Sequence, residues 1–270
     1  MTKKIRTLGI VAIGNELLDG KVQETNSNWM EKRLVPLGLE IKRLATVRDE
    51  IEEIGEAIEF VRAQCDVIIT SGGLGPTHDD MTLKAISQHL NLKLVENSEA
   101  IKIIKRQYKK LHENGIVQAP EMTKSRKKMA QLPEGSKALD NRVGGAPGVM
   151  IQDRATTIFC LPGVPSELHF IFEDSVLPWL EDHVSQRFHE EVVEFRFKDE
   201  SVFAPAIDVV MNKVPRVWIK SLPKRYGTSK TLRVWISARG EDPSELNKLV
   251  KLAIAELEKE IGLKSKPTKL

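Results

Sequence analysis

The stretch VIITSGGLGPTHDDMT, residues 67–82, decides the fold of the first half of the chain. An apolar run typical of a buried strand leads into a glycine-rich turn, and a helical pattern follows. Backbone N–H groups of such a turn and the positive end of the helix converge on one spot, so the stretch predicts an anion site. We expect Gly72, Gly73 and Gly75 to bind a phosphate group. The alternative is a plain tight turn from strand to helix.

Two adjacent carboxylates, Asp79 and Asp80, follow the glycines. A carboxylate repels a phosphate group unless a cation lies between them, so the pair predicts a divalent metal ion bridged to a phosphorylated ligand. The expected metal ligands are Asp80 and Asp79, and the ion is expected to be Mg, Mn, Co or Ni. The alternative is capping, because acidic residues stabilise the first turn of a helix, and one of the two carboxylates is expected to do only that.

Three further segments bring polar residues to the ends of predicted strands. They are 14–16 after the first strand, Asp49 at the end of the second strand, and 161–167 at the end of a later strand. Because strand C-termini in an open α/β sheet share one edge, these segments could face the same cleft as the glycine turn. The alternative for Glu167 is helix capping, and for the other residues it is a solvated loop position. The expected catalytic residues are Asp80, Asp49 and Glu16. The expected substrate-binding residues, besides the three glycines, are Asn26, Pro162, Gly163 and Glu167.

Strand and helix patterns alternate along the first part of the chain, which is typical of βαβ units on a doubly wound, mostly parallel sheet. After residue 184 the order changes to β-α-β-β-α, with a turn at 226–228 between two strands. We therefore expect an α/β domain at 1–184 and a small α+β domain at 185–270. The last residues, 264–270, are expected to be frayed.

A basic amphipathic helix is predicted at 97–114, and an irregular basic segment follows at 115–135. Both are expected to be solvated faces. The alternative is a lid whose Lys124, Arg126 or Lys128 closes on phosphates. The tryptophans expected to fill cores are Trp179, Trp218 and Trp235.

Composition limits the classes of function. A net charge of +3 over 270 residues is too small to indicate nucleic acid, and the small domain has no glycine-flanked basic loop of the KH type. No apolar run approaches the length of a membrane span, and the N-terminal one is expected to be a strand. Cys65 and Cys160 have no CxxC spacing, so a cysteine zinc site is not expected. Free thiols in a reducing cytoplasm are expected, with a disulfide as the alternative.

Three separated motifs resemble the MoaB/MogA-like molybdopterin-binding fold, and more closely the N-terminal part of CinA-like proteins. In order, these are GNELLDG at 14–20 with Thr25-Asn26, SGGLGPTHDDMT at 71–82, and LPGVPSE at 161–167. The resemblance covers residues 5 to about 182. It implies a molybdopterin-binding-like α/β fold that is usually oligomeric, here a homodimer or homotrimer.

The resemblance also implies chemistry. CinA-like members imply metal-dependent hydrolysis of a nucleotide pyrophosphate, typically ADP-ribose, and a related domain in FAD synthases acts on FAD. In the molybdopterin branch the aspartate before x-Thr is functional, which is Asp80 here, and Asp49 matches the aspartate that ends the second strand. There are two departures. The chain is expected to lack the C-terminal deamidase domain of many CinA proteins, and Asn15 replaces a common threonine.

Three functions compete at this point. The leading hypothesis is a cytoplasmic, metal-dependent nucleotide pyrophosphatase that hydrolyses ADP-ribose to AMP and ribose 5-phosphate. The second is a molybdopterin-binding or adenylylating protein of molybdenum cofactor biosynthesis. The third is a non-catalytic nucleotide-binding oligomer. In each case the expected partner is a small nucleotide diphosphate or pterin, without nucleic acid or membrane.

Overall fold

The computed structural model of the chain describes residues 4–197, 199–222 and 231–269. Two units can be separated. The first consists of Met1–Leu34 and Glu40–Val184, and the second of Val35–Leu39 and Ser185–Leu270.

Most strands of the first unit form one sheet. In chain order, the strands of this unit are β1 (Thr7–Ile13), β2 (Glu40–Val47), β3 (Val67–Ser71), β4 (Leu94–Glu96), β5 (Gln131–Pro133), β6 (Lys137–Leu139), β7 (Gly148–Asp153) and β8 (Thr156–Leu161). Six of them form the central sheet in the order β2-β1-β3-β8-β7-β6, while β4 and β5 pair separately. Neighbours among β2, β1, β3 and β8 run parallel, whereas β7 and β6 pair antiparallel. The expected mostly parallel α/β fold is confirmed.

Helices connect these strands. They are α1 (Asn15–Leu18), α2 (Asn26–Leu34), α3 (Ile51–Arg62), α4 (Thr82–His89), α5 (Ser98–Glu113), α6 (Lys124–Lys128), α7 (Pro165–Ile171) and α8 (Leu177–His183), with a π-helical turn at Phe172–Val176. The spacing of Ile54, Ile58 and Val61 places all three on the buried side of α3, against the sheet. The basic helix predicted at 97–114 corresponds to α5. The segment predicted to be irregular contains α6 and β5, so that prediction was wrong in part.

Parallel strands explain where a site can form. Apart from the exposed Leu44 of β2, the strands β1, β2, β3 and β8 are buried or half-buried, and each ends at the same edge of the sheet. Polar side chains of the loops that follow them therefore collect at that edge, since the apolar strands leave no room for them inside the sheet.

The second unit has its own sheet and core. Its elements are β9 (Arg187–Phe195), α9 (Glu200–Lys213), β10 (Val217–Leu222), β11 (Leu232–Gly240), α10 (Pro243–Ile261) and β12 (Lys266–Thr268). The sheet is antiparallel in the order β10-β11-β9-β12. Asp199 and Asp242 cap the two helices by accepting hydrogen bonds from the backbone N–H groups of Ser201 and Ser244.

The second unit confirms some of the expectations from the sequence and contradicts others. The order β-α-β-β-α is present, and β12 adds a strand at 266–268, where the chain was expected to fray. Trp218 is 55% exposed, so the prediction that it fills a core was wrong. The turn predicted at 226–228 lies outside the described residues. Within the described parts of the chain, no helix is both long and apolar enough to cross a membrane.

Candidate functional site

The glycine turn after β3 can be built only from glycine at two positions. Gly72 and Gly73 have φ values of +115° and +66°. A Cβ atom on Gly72 would lie 2.1 Å from the carbonyl oxygen of Ile13, and one on Gly73 would lie 2.2 Å from Oγ1 of Thr82. Oγ1 of Thr82 in turn donates a hydrogen bond of 2.8 Å to the carbonyl of Gly72. The turn is therefore closed against the first residue of α4.

The amides of this turn do not all have the same use. The N–H of Gly72 donates to the carbonyl of Leu161 at 2.9 Å, which ties the turn to the end of β8. Gly72 thus shapes the turn, while the amides of Gly73, Leu74 and Gly75 are the ones left as candidate donors to a ligand. Gly73, Leu74 and Gly75 all line the cavity described below.

Asp79 and Asp80 turn back towards Thr77. Oδ2 of Asp80 accepts hydrogen bonds from the N–H and the hydroxyl of Thr77, at 2.8 and 2.6 Å, and Oδ1 of Asp79 lies 2.5 Å from the same hydroxyl. The interaction with the Thr77 hydroxyl, followed by a backbone hydrogen bond of Asp79 itself, lowers the pKa of Asp79. Since α4 begins at Thr82 and its described N terminus has no side-chain cap, the expectation that one carboxylate serves only as a cap was wrong.

Asp49 follows the end of β2 and is held by the loop after β1. Its Oδ2 accepts a hydrogen bond of 2.8 Å from the N–H of Asn15. Burial raises the pKa of Asp49, the hydrogen bond from Asn15 opposes that rise, and the negative charges of Glu16, Asp79 and Asp80 add to it. Asp49 therefore lies within electrostatic reach of the other three carboxylates.

Asn26 joins the ends of two strands. This buried side chain donates from Nδ2 to Oγ of Ser71 and to the carbonyl of Gly163, both at 2.9 Å. Gly163 lies so close to the glycine turn that its Cβ would be 3.4 Å from Cα of Gly72. Asn26 thus fixes the two loops against each other, a role that the sequence alone did not indicate.

Glu167 contacts the loop at 141–146, which we call the wall of the site and which the sequence did not predict. Its Oε2 accepts a hydrogen bond of 2.6 Å from Nδ2 of Asn141, and Oδ1 of Asn141 accepts from the N–H groups of Val143 and Gly144. Burial raises the pKa of Glu167, against the effect of hydrogen bonds from Asn141 and the backbone of Ala146. No side chain caps the described start of α7, so helix capping does not explain Glu167.

Tyr108 is the second residue that was missed. A Cβ atom on Gly145 would lie 2.9 Å from the Tyr108 ring, so the glycine allows close packing there. The guanidinium of Arg126 lies 3.8 Å from the centre of the same ring and donates to the carbonyls of Ala119 and Glu121. A pair of glycines beside an asparagine at 141–145 was the available signal for this wall.

These loops surround one cavity of about 580 Å³, which we call the acidic cleft. It brings together every residue that the sequence predicted for the site. They are Glu16, Asn26, Asp49, Gly72, Gly73, Gly75, Asp79, Asp80, Pro162, Gly163 and Glu167. With Glu24, six carboxylate side chains line the cleft, and its described lining contains no Lys, Arg or His.

A basic residue does lie beside the cleft. Nζ of Lys128 donates a hydrogen bond to the carbonyl of Thr77, in the loop that carries Asp79 and Asp80. Of the residues considered for a lid, Lys128 contacts the rim and Arg126 packs on Tyr108, whereas closure on a ligand stays a prediction.

Residues 9–182 match the protein family described as "Probable molybdopterin binding domain". The chain belongs to this family. The acidic cleft is formed by elements within the matched residues, so it is a feature of the molybdopterin-binding domain.

Sequence similarity to individual proteins extends beyond that domain. A protein of Pyrococcus furiosus is 39% identical over 234 residues, which cover 86% of this chain and 90% of that protein. A protein of Sulfurisphaera tokodaii is 37% identical over 257 residues, which cover 94% of each chain. The crystal structure of CinA from Thermoplasma acidophilum, described as being of unknown function, is 29% identical with a TM-score of 0.58, and covers 66% of this chain and 99% of that one. The resemblance to CinA-like proteins is confirmed.

The donor set of the molybdopterin-binding domain limits how it could hold a metal ion. Across the described residues, no group of three or more His, Cys, Asp or Glu side chains could hold a metal ion. Mg²⁺ is commonly bound through one or two carboxylates together with substrate phosphates and water. Asp79 and Asp80 fit a site of one or two carboxylates, in which the ligand completes the coordination.

Proposed function

We propose that the acidic cleft binds a nucleotide diphosphate together with a divalent cation and hydrolyses its pyrophosphate bond, with ADP-ribose as substrate. One observation carries the proposal. Turn amides without a hydrogen-bond partner among the described residues share a cavity with six carboxylates, and no cationic side chain is found in its described lining.

Electrostatic repulsion explains why the proposed ligand of the acidic cleft needs a cation. Two like unit charges 4 Å apart repel by about 4 kcal/mol at an effective dielectric constant of about 20. A diphosphate beside Asp79, Asp80, Asp49 and Glu16 would meet several such repulsions without compensation. A divalent cation removes the conflict because it attracts both the carboxylates and the phosphates.

The chain's own residues then divide the work. The N–H groups of Gly73, Leu74 and Gly75 donate to one phosphate group. Asp80 and Asp79 would hold the cation, which when bound would neutralise charge on the phosphates and favour attack by water. Thr77 orients Asp80 through the two hydrogen bonds described above.

Asp49 is the candidate for proton transfer. Its raised pKa makes it a better base than an ordinary aspartate, and the N–H of Asn15 fixes its position. Asp49 accepts a proton from a water molecule as the water oxygen bonds to phosphorus. The bond from that phosphorus to the bridging oxygen breaks, and AMP and ribose 5-phosphate leave. Glu16, next to Asn15, adds negative charge that keeps Asp49 basic.

The test is a turnover assay of purified protein with ADP-ribose, FAD and coenzyme A, in Mg²⁺, Mn²⁺, Co²⁺ and Ni²⁺. We expect ADP-ribose hydrolysis with at least one of these ions and loss of turnover in the Asp80→Asn variant. Asp182→Asn, the same change at an exposed position on α8, is the matched control. Full activity of Asp80→Asn, or no turnover with any ion, would contradict the proposal.

A second candidate is supported by the family description, which names molybdopterin. A pterin carries a phosphate group that the same turn amides could bind, so the cleft suits either ligand. Protein purified with a fluorescent pterin, or binding a pterin tightly without hydrolysing ADP-ribose, would favour this function over the first.

A further inference from the structure

The second unit has a sheet with two unlike faces. Its helices α9 and α10 pack on one face, where alternate strand residues such as Val193, Ile219 and Val234 are buried with residues of both helices. Strand side chains alternate in direction, so the residues between these point to the other face. Neither described helix of this unit covers that other face, which we call the open sheet face.

Aromatic residues lie on the open sheet face on three adjacent strands. Trp235 on β11 pairs across the sheet with Val192 on β9, and Trp218 on β10 pairs with Ser237 on β11. The rings of Trp235 and Phe188 have their centres 6.5 Å apart. Trp218 is 55% exposed, and the other two rings are half-buried.

Cationic side chains are interleaved with these rings. Lys220 lies opposite Trp235, and Arg239 lies over the Phe188 ring at 4.6 Å. Among the residues that the structure describes, the basic residues on this face are Lys220, Arg233, Arg239 and Lys266.

The acidic residues of the open sheet face are fewer and are engaged. Glu190 accepts a hydrogen bond of 2.6 Å from Nε1 of Trp235, and Glu194 accepts one of 2.9 Å from Oγ1 of Thr231. The bond to Glu190 also fixes the position of the Trp235 ring. Among the described residues, the face therefore combines aromatic rings, one of them fixed by a hydrogen bond, with four basic side chains against two acidic ones.

The charge of the whole chain conceals this distribution. Residues 185–270 contain 17 Lys and Arg against 12 Asp and Glu, whereas residues 1–184 contain 24 against 26. The net charge of +3 thus averages a basic part and a slightly acidic part. The expectation that nucleic acid is not a partner rested on that average and on the lack of a KH-type loop.

We propose that the open sheet face binds single-stranded nucleic acid, with bases stacked on Trp218, Trp235 and Phe188 and phosphates close to the basic residues. A four-stranded sheet with aromatic side chains on its strands is a platform on which successive bases stack, and it needs no glycine-flanked loop. Cationic groups between the rings suit the phosphates that link the bases. This proposal differs from the expectation that nucleic acid is not a partner, and it does not depend on the chemistry of the acidic cleft.

The first experiment measures binding by the full chain. Fluorescence anisotropy would follow labelled oligouridine, oligothymidine and a DNA duplex, each of about 12 nucleotides or base pairs. We expect the single strands to bind more tightly than the duplex, and affinity to fall steeply between about 50 and 200 mM salt. Comparing the two single strands separates RNA from DNA as the preferred ligand.

The second experiment assigns the binding to the face. Trp218→Ala should weaken single-strand binding by about tenfold, since base stacking on one aromatic ring is commonly worth that much. Leu252→Ala is the matched control, because Leu252 is 50% exposed on α10, away from the sheet. Lys220→Ala should weaken binding to all sequences and lower the salt slope by about one, whereas Lys251→Ala should not.

Three outcomes would overturn the proposal. One is no binding of either single strand at low salt, and another is equal binding by Trp218→Ala and Leu252→Ala. The third is a homo-oligomer, detected by sedimentation, that Trp218→Ala dissociates while single strands do not bind. That result would mean that a second copy of the chain covers the face. ADP-ribose hydrolysis is expected to be unchanged in Trp218→Ala, which separates this proposal from the one for the cleft.

Discussion

The acidic cleft and the open sheet face are proposed to attract phosphate by opposite means. The cleft offers backbone amides and carboxylates, with no cationic side chain in its described lining, so the phosphate ligand proposed for it would need a cation. The open sheet face offers arginine, lysine and aromatic rings. If both proposals hold, one chain carries two kinds of phosphate site, one dependent on metal ions and the other on salt concentration.

The largest effect within the cleft is expected where its shape depends on the backbone of the glycine turn. Gly72→Ala should destabilise the protein by about 3 kcal/mol, because the new methyl group would meet the carbonyl of Ile13 at a φ of +115°. Gly115→Ala is the control, since Gly115 also has a positive φ but open space around it, and it should cost about 1 kcal/mol. Urea unfolding measures both. Equal losses would show that the turn is not tightly packed.

The pH dependence of stability tests the wall of the cleft. Burial raises the pKa of Glu167 above its ordinary value of 4.5. A carboxyl group with a raised folded pKa favours the folded state at low pH, and this contribution is lost as pH rises from 4.5 through the folded pKa.

We therefore expect the stability of the wild type, relative to Glu167→Gln, to fall as pH increases above 4.5. Chemical unfolding across pH measures the difference. Glu181→Gln, the same change at an exposed position, is the control variant. A constant difference for Glu167→Gln would mean that the carboxyl titrates normally.

Lys128 tests whether the acidic cleft depends on a cationic side chain. Because this lysine donates to the carbonyl of Thr77, Lys128→Met should loosen the loop of Asp79 and Asp80 and reduce ADP-ribose turnover by about fivefold, or about 1 kcal/mol. Lys124→Met, at the start of the same short helix, is the control. If Lys128→Met abolished substrate binding, the cleft would depend on a cationic side chain after all.

The smallest effect concerns the stability of the second unit. Trp218→Ala should change the free energy of unfolding by about 0.5 kcal/mol, because its side chain is largely exposed. Phe203→Ala, at a fully buried position of the same unit, should cost about 4 kcal/mol. Thermal or urea unfolding distinguishes them. A loss of several kcal/mol for Trp218→Ala would show that the ring serves packing.

The sequence predicted the cleft better than the open sheet face, for a physical reason. Apolar runs and the glycine turn at 67–82 are local signals, and parallel strands bring their ends to one edge whatever the details of packing. The roles of Asn26 and Asn141 escaped prediction because their partners, Gly163 and Glu167, are distant in sequence. Their hydrogen bonds exist only once the loops have been assembled.

The second unit has features that local sequence patterns cannot predict. Exposure of Trp218 depends on which face of β10 the two helices cover, and alternation alone does not name that face. The strand β12 was missed for a related reason. Its three residues pair with the edge of β9, and nothing in the short sequence at 266–268 specifies that partner.

The most direct test of the central claim is a calorimetric titration of ADP-ribose into the purified protein, once with a chelator and once with Mg²⁺ or Mn²⁺. We predict that ADP-ribose binds only when the divalent ion is present, and that Asp80→Asn loses this ion-dependent binding. Equally tight binding with the chelator present would contradict the account, because a cleft that carries six carboxylates would then hold a diphosphate without a cation.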